Sequence, residues 1–410
     1  MVCRTSLGAF RIHEPVRNKD ILLASIKMEQ TLEILDRLIA FDTVSSKSNL
    51  AIIDFIENFL IARGFDVTRI PDETGQKAGI YAVLGPKEAS GIMLSAHTDV
   101  VPVEGQLWTS DPFKLTRLDD RLYGRGTTDM KGYVASVMAL ADRASKLVLK
   151  EPLKIVLSYD EEIGCVGIKQ MIDRLTPLIG LPRACIVGEP TEMQVAVGHK
   201  GKAALRATCK GQAGHSALAP KFTNALHIAA EFVQELQALQ TELAQNGARD
   251  LAYDIPYSTV HVGQMSGGTA LNIVPDAAEI TFECRHLVAD RPEELEERIA
   301  DAAERVADRH RLLFDGADIS IEKYNSYPGL DVASDASIVN IAQRLAATNE
   351  TTKVAFGTEA GYFDALGVQT VVCGPGSMEG QGHKADEYIE VSQLNACDEM
   401  MDRILAELQG

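Results

Sequence analysis

The sequence predicts an α/β fold in which a mostly parallel sheet is interrupted by a separate α+β unit. Between residues 28 and 193, short apolar runs alternate with helical patterns, which is typical of a parallel sheet covered by helices. Between residues 194 and 326, longer runs alternate apolar and polar residues in the order βαββαβ of the split β-α-β motif. Because the first pattern resumes at 327–410, we expect the α+β unit to be an inserted, ferredoxin-like domain.

The elements follow from apolar periodicity and from glycine or proline at their ends. In the first part we predict helices at 31–40, 49–63, 133–144 and 167–175, and strands at 65–70, 79–84, 91–96, 153–158 and 184–188. In the insert we predict strands at 194–211, 258–264, 278–286 and 319–324, and helices at 224–239 and 291–310. The last part is predicted to hold helices at 336–347 and 391–408 and a strand at 369–373.

Length, charge and cysteine usage exclude several classes of protein. A chain of 410 residues exceeds one typical core, and a net charge of −18 argues against nucleic acid or an anionic membrane as partner. No apolar run approaches the roughly 20 residues of a membrane span. The seven cysteines are scattered without a C-x-x-C pair, which indicates reduced thiols packed as small apolar residues in a cytoplasmic protein.

Residues 1–27 form a separate N-terminal extension in this interpretation. They contain five basic residues but no continuous apolar core that ends in small residues, so they do not resemble a secretory signal. Met28 precedes the first clean helical pattern. The extension is therefore expected to be either flexible or the product of a misassigned start.

Histidines and carboxylates follow the predicted strands of the first domain, at the edge where ligands bind in α/β sheets. They are His97, Asp99, Asp129, Glu161, Glu162, Glu189 and His383. Carboxylates that lie close together repel one another unless a cation neutralises them. A nitrogen and oxygen set without thiolates suits zinc, cobalt or manganese, and a bridging carboxylate would support two ions.

The adjacent pair Glu161-Glu162 indicates a reaction as well as a binding site. Neighbouring side chains point in different directions, so one can bind metal while the other stays free. A free carboxylate beside a metal-activated water can take the proton of that water. The pattern thus predicts hydrolysis of an amide or ester without a covalent enzyme intermediate.

Each of these residues also has an ordinary structural alternative. Asp129 could cap the helix predicted near residue 133, since aspartate is a preferred N-cap. Glu161 and Glu162 could form a solvated turn, Glu189 could face solvent before Pro190, and His383 could be structural. Their joint position at successive strand ends favours the metal site.

Five motifs in order resemble the zinc aminoacylase family, which includes acetylornithine deacetylase, succinyl-diaminopimelate desuccinylase and aminoacylase. They are Ser95-Ala-His-Thr-Asp-Val-Val-Pro, Tyr123-Gly-Arg-Gly-Thr-Thr-Asp-Met-Lys-Gly, Asp160-Glu-Glu-Ile-Gly, Gly188-Glu-Pro-Thr and the late Gly382-His383. The resemblance extends from Met28 to the end of the chain. It implies a zinc-hydrolase catalytic domain at 28–193 and 327–410, and a lid and dimerisation domain at 194–326.

The resemblance also implies roles for the strand-end residues. One zinc would be held by His97, Asp129 and Glu189, and the second by Asp129, Glu162 and His383, with cobalt as a possible substitute. Glu161 would be the general base, and Asp99 would orient His97.

In the insert, the resemblance implies that His215 reaches the active site of the partner subunit in a homodimer and stabilises the oxyanion. Asn272 and Arg285 resemble lid residues that bind the substrate carboxylate. From the residues alone, His215 could be a polar loop residue, and Arg285 could form a salt bridge across the sheet.

Within the family, the later motifs resemble those of acetylornithine deacetylases. They are Phe356-Gly-Thr-Glu-Ala360, Val372-Cys-Gly-Pro-Gly-Ser377 and Gly382-His-Lys-Ala-Asp-Glu-Tyr388. Thr358 and Glu359 would contact the substrate, and the Glu359 carboxylate would suit a cationic amine, although it could instead cap a helix. Glutamate at position 189 resembles deacetylases and desuccinylases, whereas aminopeptidase-like relatives tend to have aspartate.

The resemblance therefore implies a small-molecule N-acyl amino acid as substrate, and first of all N2-acetyl-L-ornithine in arginine biosynthesis. Another N-acyl-amino-acid deacylase or the desuccinylase is the alternative within the family. An inactive metal-binding homologue would lack the base or a ligand, and the matching positions are all present. A structural scaffold would leave the acidic strand ends unexplained.

Overall fold

A computed structural model of the chain describes residues 16–410. The helices, in chain order, are α1 Val16–Ile39, α2 Leu50–Ile61, α3 Lys131–Ala144, α4 Val166–Ile179, α5 Ala225–Asn246, α6 Pro292–Arg311, α7 Ser337–Ala346, α8 Ala360–Ala365 and α9 Val391–Gln409. None of these helices combines the length and the apolar character that a membrane span requires.

The strands lie in four sheets. In chain order they are β1 Asp66–Pro71, β2 Ala78–Leu84, β3 Ile92–His97, β4 Thr116–Leu118, β5 Arg121–Tyr123, β6 Leu153–Ser158, β7 Ala184–Val187, β8 Val195–His199, β9 Gly201–Lys210, β10 Gly214–His215, β11 Thr259–Gly267, β12 Ile273–Val274, β13 Ala277–His286, β14 Asp318–Tyr327, β15 Leu330–Asp331, β16 Thr351–Val354, β17 Thr370–Val372 and β18 Tyr388–Glu390.

The large sheet has the order β1-β2-β6-β3-β7-β17-β8-β15, with β16 also paired to β8. Its centre, β6-β3-β7-β17, is parallel, and β1-β2 and β8-β15 add antiparallel strands at its two edges. Strands β3 and β6 are buried along their whole length, because one face is covered by α1, α3 and α9 and the other by α4 and α8. The predicted α/β class with a parallel sheet is confirmed.

A second sheet has the order β11-β13-β9-β14, with antiparallel neighbours throughout. The chain order β9-α5-β11-β13-α6-β14 gives the ferredoxin-like arrangement that the alternating pattern predicted. Helices α5 and α6 cover one face and share its core, while much of β11 is exposed. The two-stranded sheet β10-β12 is an addition to this unit, and β18-β5-β4 forms the remaining sheet.

The strand predicted at 194–211 is wrong as a single element. It is divided at Lys200 into β8 of the large sheet and β9 of the second sheet. The Lys200 ammonium donates to the carbonyl oxygens of Ile255 and Tyr257, and a Cβ at Gly201 would lie 2.8 Å from the Gly329 nitrogen. The chain therefore crosses between the sheets at residue 200, not at 194 where the insert was predicted to begin.

The N-terminal extension differs from its prediction in part. Helix α1 begins at Val16, so residues 16–27 belong to a helix that continues to Ile39 and not to a flexible extension. The prediction for residues 1–15 lies outside the described residues. Apolar side chains of α1 from Met28 onward pack in the core that α3 and α9 share, which agrees with the start of the apolar periodicity after Met28.

The buried imidazole of His199, in β8, should make the stability of the fold depend on pH. Its Nε2 is buried without a hydrogen-bond partner among the described residues, and burial lowers its pKa to about 4. An unfolded histidine has a pKa near 6.5, so the unfolded state takes up the proton first as the pH falls. The stability contributed by neutral His199 is present above pH 6.5 and is lost towards pH 4, by up to about 3 kcal/mol.

We therefore expect the free energy of unfolding to differ between the parent protein and His199→Gln in a pH-dependent way. Denaturant unfolding at pH 7 and pH 5 should show the parent losing about 2 kcal/mol more than the variant, which has no imidazole to protonate. A difference that stays constant between the two pH values would contradict this assignment.

Candidate metal centre

The sheet order brings the predicted site residues to one edge. Strands β3, β6 and β7 are parallel neighbours, so their carboxyl ends lie side by side. His97 is the last residue of β3, while Glu161 and Glu189 follow the ends of β6 and β7 by a few residues. Single ligand atoms of His97, Glu161 and Glu189 lie within 4.8 Å of one another.

Asp129 lies between the two predicted histidine ligands. Its Oδ1 is 3.0 Å from His97 Nε2, and its Oδ2 is 3.0 Å from His383 Nε2. The alternative that Asp129 caps a helix is wrong, because α3 begins at Lys131 and Met130 is its N-cap residue. The aspartate is 5% exposed and holds its two oxygens towards different histidines.

Each of these histidines also faces a glutamate. His97 Nε2 is 3.7 Å from Glu189 Oε1, and His383 Nε2 is 2.9 Å from Glu162 Oε2. The cluster thus contains two groups that share Asp129: a first half-site of His97, Asp129 and Glu189, and a second half-site of His383, Asp129 and Glu162. The assignment of these groups to two metal ions stays a prediction. The solvated-turn and solvent-facing alternatives do not describe Glu162 and Glu189, since the side chains of both are about 95% buried.

The charges of this cluster fit a bound cation. Burial, together with the neighbouring Asp129 carboxylate, raises the pKa of Glu162 to about 7. Burial also raises the pKa of Glu189 well above its usual value. In addition, Glu162 Oε1 and Glu189 Oε1 are buried without hydrogen-bond partners among the described residues. Buried carboxylate oxygens without donors are rare unless an ion satisfies them, so the donor set fits metal.

Asp99 lies on the other side of the His97 ring. The His97 Nδ1 atom is 3.0 Å from the Asp99 carbonyl oxygen and 3.5 Å from its Oδ1. Burial would raise the pKa of Asp99, but the contact with His97 and the hydroxyl of Ser45 lower it below its usual value. The carboxylate also accepts from the backbone N–H groups of Glu161 and Glu162. Asp99 thus connects the His97 ring to the backbone of the loop that carries Glu161 and Glu162.

The half-buried Glu161 carboxylate lies beside the thiol of Cys165, one of the cysteines predicted to pack as small apolar residues. The Cys165 Sγ lies 3.1 Å from Glu161 Oε1 and can donate its proton there. Burial, together with the nearby carboxylates of Glu162 and Asp129, raises the pKa of Glu161 to about 8. The spacing Glu161-x-x-x-Cys165 at the start of α4 is the signal that could have identified this contact.

Thr358 and Glu359 precede helix α8 and are both buried. Thr358 Oγ1 accepts from the Ala360 N–H, whereas the Glu359 side chain makes no capping bond. Glu359 instead accepts from the hydroxyls of Ser158 and Ser95, on β6 and β3. Glu359 therefore occupies the N-cap position of α8, but its side chain does not cap the helix. Burial raises its pKa to about 7. A substrate contact by either residue stays a prediction.

His215 and Asn272 lie together on the insert, apart from the cluster. His215 pairs with Ile273 across β10-β12, and the Ser216 N–H donates to the Asn272 carbonyl oxygen. Both residues are exposed, and the His215 Nδ1 accepts from the Ala217 N–H. Within the described chain neither makes a hydrogen bond or ion pair with the cluster.

Arg285, on β13, makes a salt bridge along its own strand. Its Nε donates to Glu283 Oε1 at 2.9 Å, and Glu283 also pairs with Lys202 of the adjacent strand β9. Arg285 therefore forms a salt bridge, but within β13 and not across the sheet as the alternative expected. Its role towards a substrate carboxylate stays a prediction.

The fold and the cluster of histidines and carboxylates at the sheet edge are those of a metal-dependent amidohydrolase. The chain belongs to the family described as Peptidase family M20/M25/M40, whose sequence profile matches residues 93–407. This confirms the family resemblance predicted from the motifs.

Curated relatives agree with this assignment, and a solved structure shares the fold. The chain is 32% identical to the acetylornithine deacetylase of Myxococcus xanthus, covering 92% of this chain and 97% of the relative. It is also 32% identical to the acetylornithine deacetylase of Pasteurella multocida, with 93% and 98% covered. A family M20 metallo-carboxypeptidase from Sulfolobus solfataricus has the same fold, with a TM-score of 0.75 at 18% identity and coverage of 93% and 99%.

Proposed function

We propose that this protein hydrolyses N2-acetyl-L-ornithine to L-ornithine and acetate, as a step of arginine biosynthesis in the cytoplasm. The observation that carries the proposal is the position of Asp129 between two histidine and glutamate pairs, with the Glu161 carboxylate beside them. Two curated relatives named acetylornithine deacetylase, each matched over more than nine-tenths of this chain, support the choice of substrate.

Two zinc ions per subunit are part of the proposal, with cobalt as a possible substitute. His97, Asp129 and Glu189 would hold one ion, and Asp129, Glu162 and His383 the other. When bound, the ions supply Lewis-acid polarisation of the amide carbonyl and lower the pKa of the attacking water.

Glu161 carries the proton transfers in this proposal. Its carboxylate takes a proton from water as the water oxygen bonds to the acetyl carbon, and delivers that proton to the departing amine nitrogen when the C–N bond breaks. The site favours this role, because a raised pKa makes the deprotonated Glu161 carboxylate a better proton acceptor. Asp99 keeps the His97 ring in place throughout.

The insert supplies the remaining groups in the proposal. Arg285 and Asn272 bind the substrate carboxylate, which requires Arg285 to exchange its contact with Glu283 for the substrate. His215 stabilises the oxyanion in the partner subunit of a homodimer. Its exposure, and the lack of a hydrogen bond or ion pair with the acidic cluster within the described chain, are compatible with such a role.

The substrate proposal is tested by kcat/KM on a panel of acetylornithine, acetylcitrulline, acetylmethionine and succinyl-diaminopimelate, together with the metal content of the protein. We expect acetylornithine to exceed the others by at least about tenfold, the equivalent of 1.4 kcal/mol, because a buried carboxylate favours its cationic amine. If acetylornithine were among the poorest substrates, the specific proposal would fail. Metal binding with no hydrolysis of any amide would indicate an inactive homologue.

Glu359→Gln supplies the matched variant for this panel. Glutamine preserves the shape and an acceptor for Ser158 but removes the negative charge. We expect kcat/KM to fall for acetylornithine and to stay nearly the same for acetylmethionine. An equal loss on both substrates would show that Glu359 supports the strands and does not select the amine.

A further inference from the structure

Glu387 is a wholly buried carboxylate close to the metal centre that the proposed reaction does not use. It follows His383 by four residues and directly precedes β18. Its Oε1 accepts from three backbone N–H groups, those of Gly126, Thr128 and Asp129, at 3.0, 3.0 and 3.1 Å. A single carboxylate oxygen thus accepts three backbone hydrogen bonds from the loop that carries Asp129.

The second oxygen of Glu387 is bound by Arg125 of the same loop. Arg125 Nη1 donates to Glu387 Oε2 at 2.5 Å, and its Nη2 donates to Gln106 Oε1 at 2.6 Å. The guanidinium carbon also lies 5.1 Å from the ring centre of Trp108. The Arg125 guanidinium is therefore held by Gln106 and Trp108 as well as by Glu387, and these contacts fix its position in the ion pair.

The residues around this ion pair also contact the segment that carries His383. Gln106 Nε2 donates to the carbonyl oxygen of His383 at 3.4 Å, and the Gly124 N–H donates to the carbonyl oxygen of Glu387 at 3.0 Å. The segment 383–387 and the loop 124–129 are consequently joined by both main-chain and side-chain hydrogen bonds. Asp129 and His383 sit at the two ends of this connected unit.

We propose that Glu387 is a positioning residue that fixes Asp129 and His383 relative to each other and so sets the spacing of the second half-site. The inference rests on the proposed binding of metal by these two residues. Successive N–H groups directed at one carboxylate form an anion-binding concavity, which holds the loop in a single conformation. Charge-assisted hydrogen bonds from arginine make the arrangement stronger than neutral contacts would.

The chemistry of Glu387 suits this role better than a general contribution to stability. Its Oε1 accepts only from the backbone of the loop that carries Asp129. Its only side-chain partner among the described residues is Arg125, four positions before Asp129. His97 and Glu189, by contrast, are held by β3 and by the segment after β7. A weaker Glu387 should therefore loosen Asp129, which both half-sites share, and His383, which only the second half-site contains, so the second half-site should lose more affinity than the first.

The test is a zinc titration of metal-free Glu387→Gln in competition with a chromogenic chelator. Glutamine keeps the shape but weakens the N–H contacts and removes the charge that binds Arg125. We expect the affinity for the second zinc equivalent to fall by about 10- to 100-fold, the range for residues that hold metal ligands from behind. The first equivalent should change much less, and the cobalt absorption spectrum of the second site should broaden.

Asp398→Asn is the matched control. Asp398 is also a buried carboxylate, but it lies on α9 and accepts from Thr31 Oγ1, away from the cluster. We expect Asp398→Asn to lower the melting temperature without changing either zinc affinity. Equal effects of the two variants on zinc binding, or two unchanged affinities in Glu387→Gln, would overturn the inference.

Arg125→Lys keeps the proposal testable if Glu387→Gln fails to fold. Lysine retains the charge but cannot span Glu387 and Gln106 at once, so the same selective loss of the second equivalent is expected. An unchanged second equivalent in Arg125→Lys would overturn the inference in that case. Parent protein that binds no zinc would refute the proposed function itself, which is a result separate from either variant.

Discussion

Replacing Glu161 with glutamine is expected to lower kcat by about 10²- to 10⁴-fold while the bound metal stays nearly unchanged. Glutamine has almost the same volume as glutamate, but its amide cannot take a proton from water. In the proposed reaction Glu162 and Glu189 are metal ligands, so neither of them can replace Glu161 as the base. The loss should appear in kcat and kcat/KM together, as for a group that acts in the transition state.

The surroundings of Glu161 make the substitution interpretable. The loop that carries it is held by Asp99, which accepts from the Glu161 N–H, and by Asn325 of β14, which donates to the carbonyl oxygens of Ile163 and Gly164. These contacts involve the backbone, so they persist in Glu161→Gln. The variant should therefore fold and bind metal like the parent protein.

The measurements are steady-state kinetics on the best substrate and metal content by elemental analysis. Glu379→Gln is the matched control, because Glu379 is an exposed glutamate a few residues before His383. It should retain parental kcat and parental metal content. Substantial turnover by Glu161→Gln would overturn its role as the base, and loss of metal would instead assign Glu161 as a ligand.

The sequence placed His97, Glu161 and Glu189 in one candidate cluster because each follows a predicted strand, and ligands bind beyond the carboxyl ends of parallel strands. The structure adds the strand order: β3 lies between β6 and β7, so the three side chains meet at one sheet edge. His383 was harder, because ten residues without regular structure separate β17 from it. Its position near Asp129 was predicted from the family motif and not from periodicity.

The contacts that hold the cluster could not be predicted, because they join residues that are distant in sequence. The Glu387 carboxylate meets the Asp129 backbone 258 positions away, and the Ser158 hydroxyl meets Glu359 201 positions away. Local patterns carry no information on such pairs. The crossing at Lys200 was missed for a related reason, since one alternating run continues through a change of sheet.

Replacing Asp129 with asparagine should have the second of the two largest effects. Asp129 is shared by both half-sites, and asparagine offers only one oxygen, which is uncharged. We expect weaker binding of both zinc equivalents and a fall in kcat/KM of about 10³-fold or more, since a bound metal supplies several kcal/mol of transition-state stabilisation. Glu161→Gln, by contrast, should lose activity with its metal in place.

Thermal unfolding gives a readout of this variant that does not depend on activity. A ligand that binds only the folded state stabilises it by RT ln(1 + [L]/Kd), about 4 kcal/mol when the free metal is 1,000 times Kd. Zinc added to metal-free parent protein should therefore raise its melting temperature, and most of this rise should disappear in Asp129→Asn. Asp301→Asn, at an exposed position on α6, should respond to zinc like the parent protein.

The zinc affinities of Asp129→Asn and Glu387→Gln distinguish a ligand shared by both ions from a residue that only supports the loop. If Asp129 bridges, its replacement must weaken both equivalents, whereas loss of Glu387 should weaken mainly the second. If Asp129→Asn lost only one equivalent, the remaining ion would be held by one histidine and glutamate pair alone, and the bridging role would be wrong. The opposite directions in which Asp129 Oδ1 and Oδ2 point, each 3.0 Å from a different histidine, favour the first outcome.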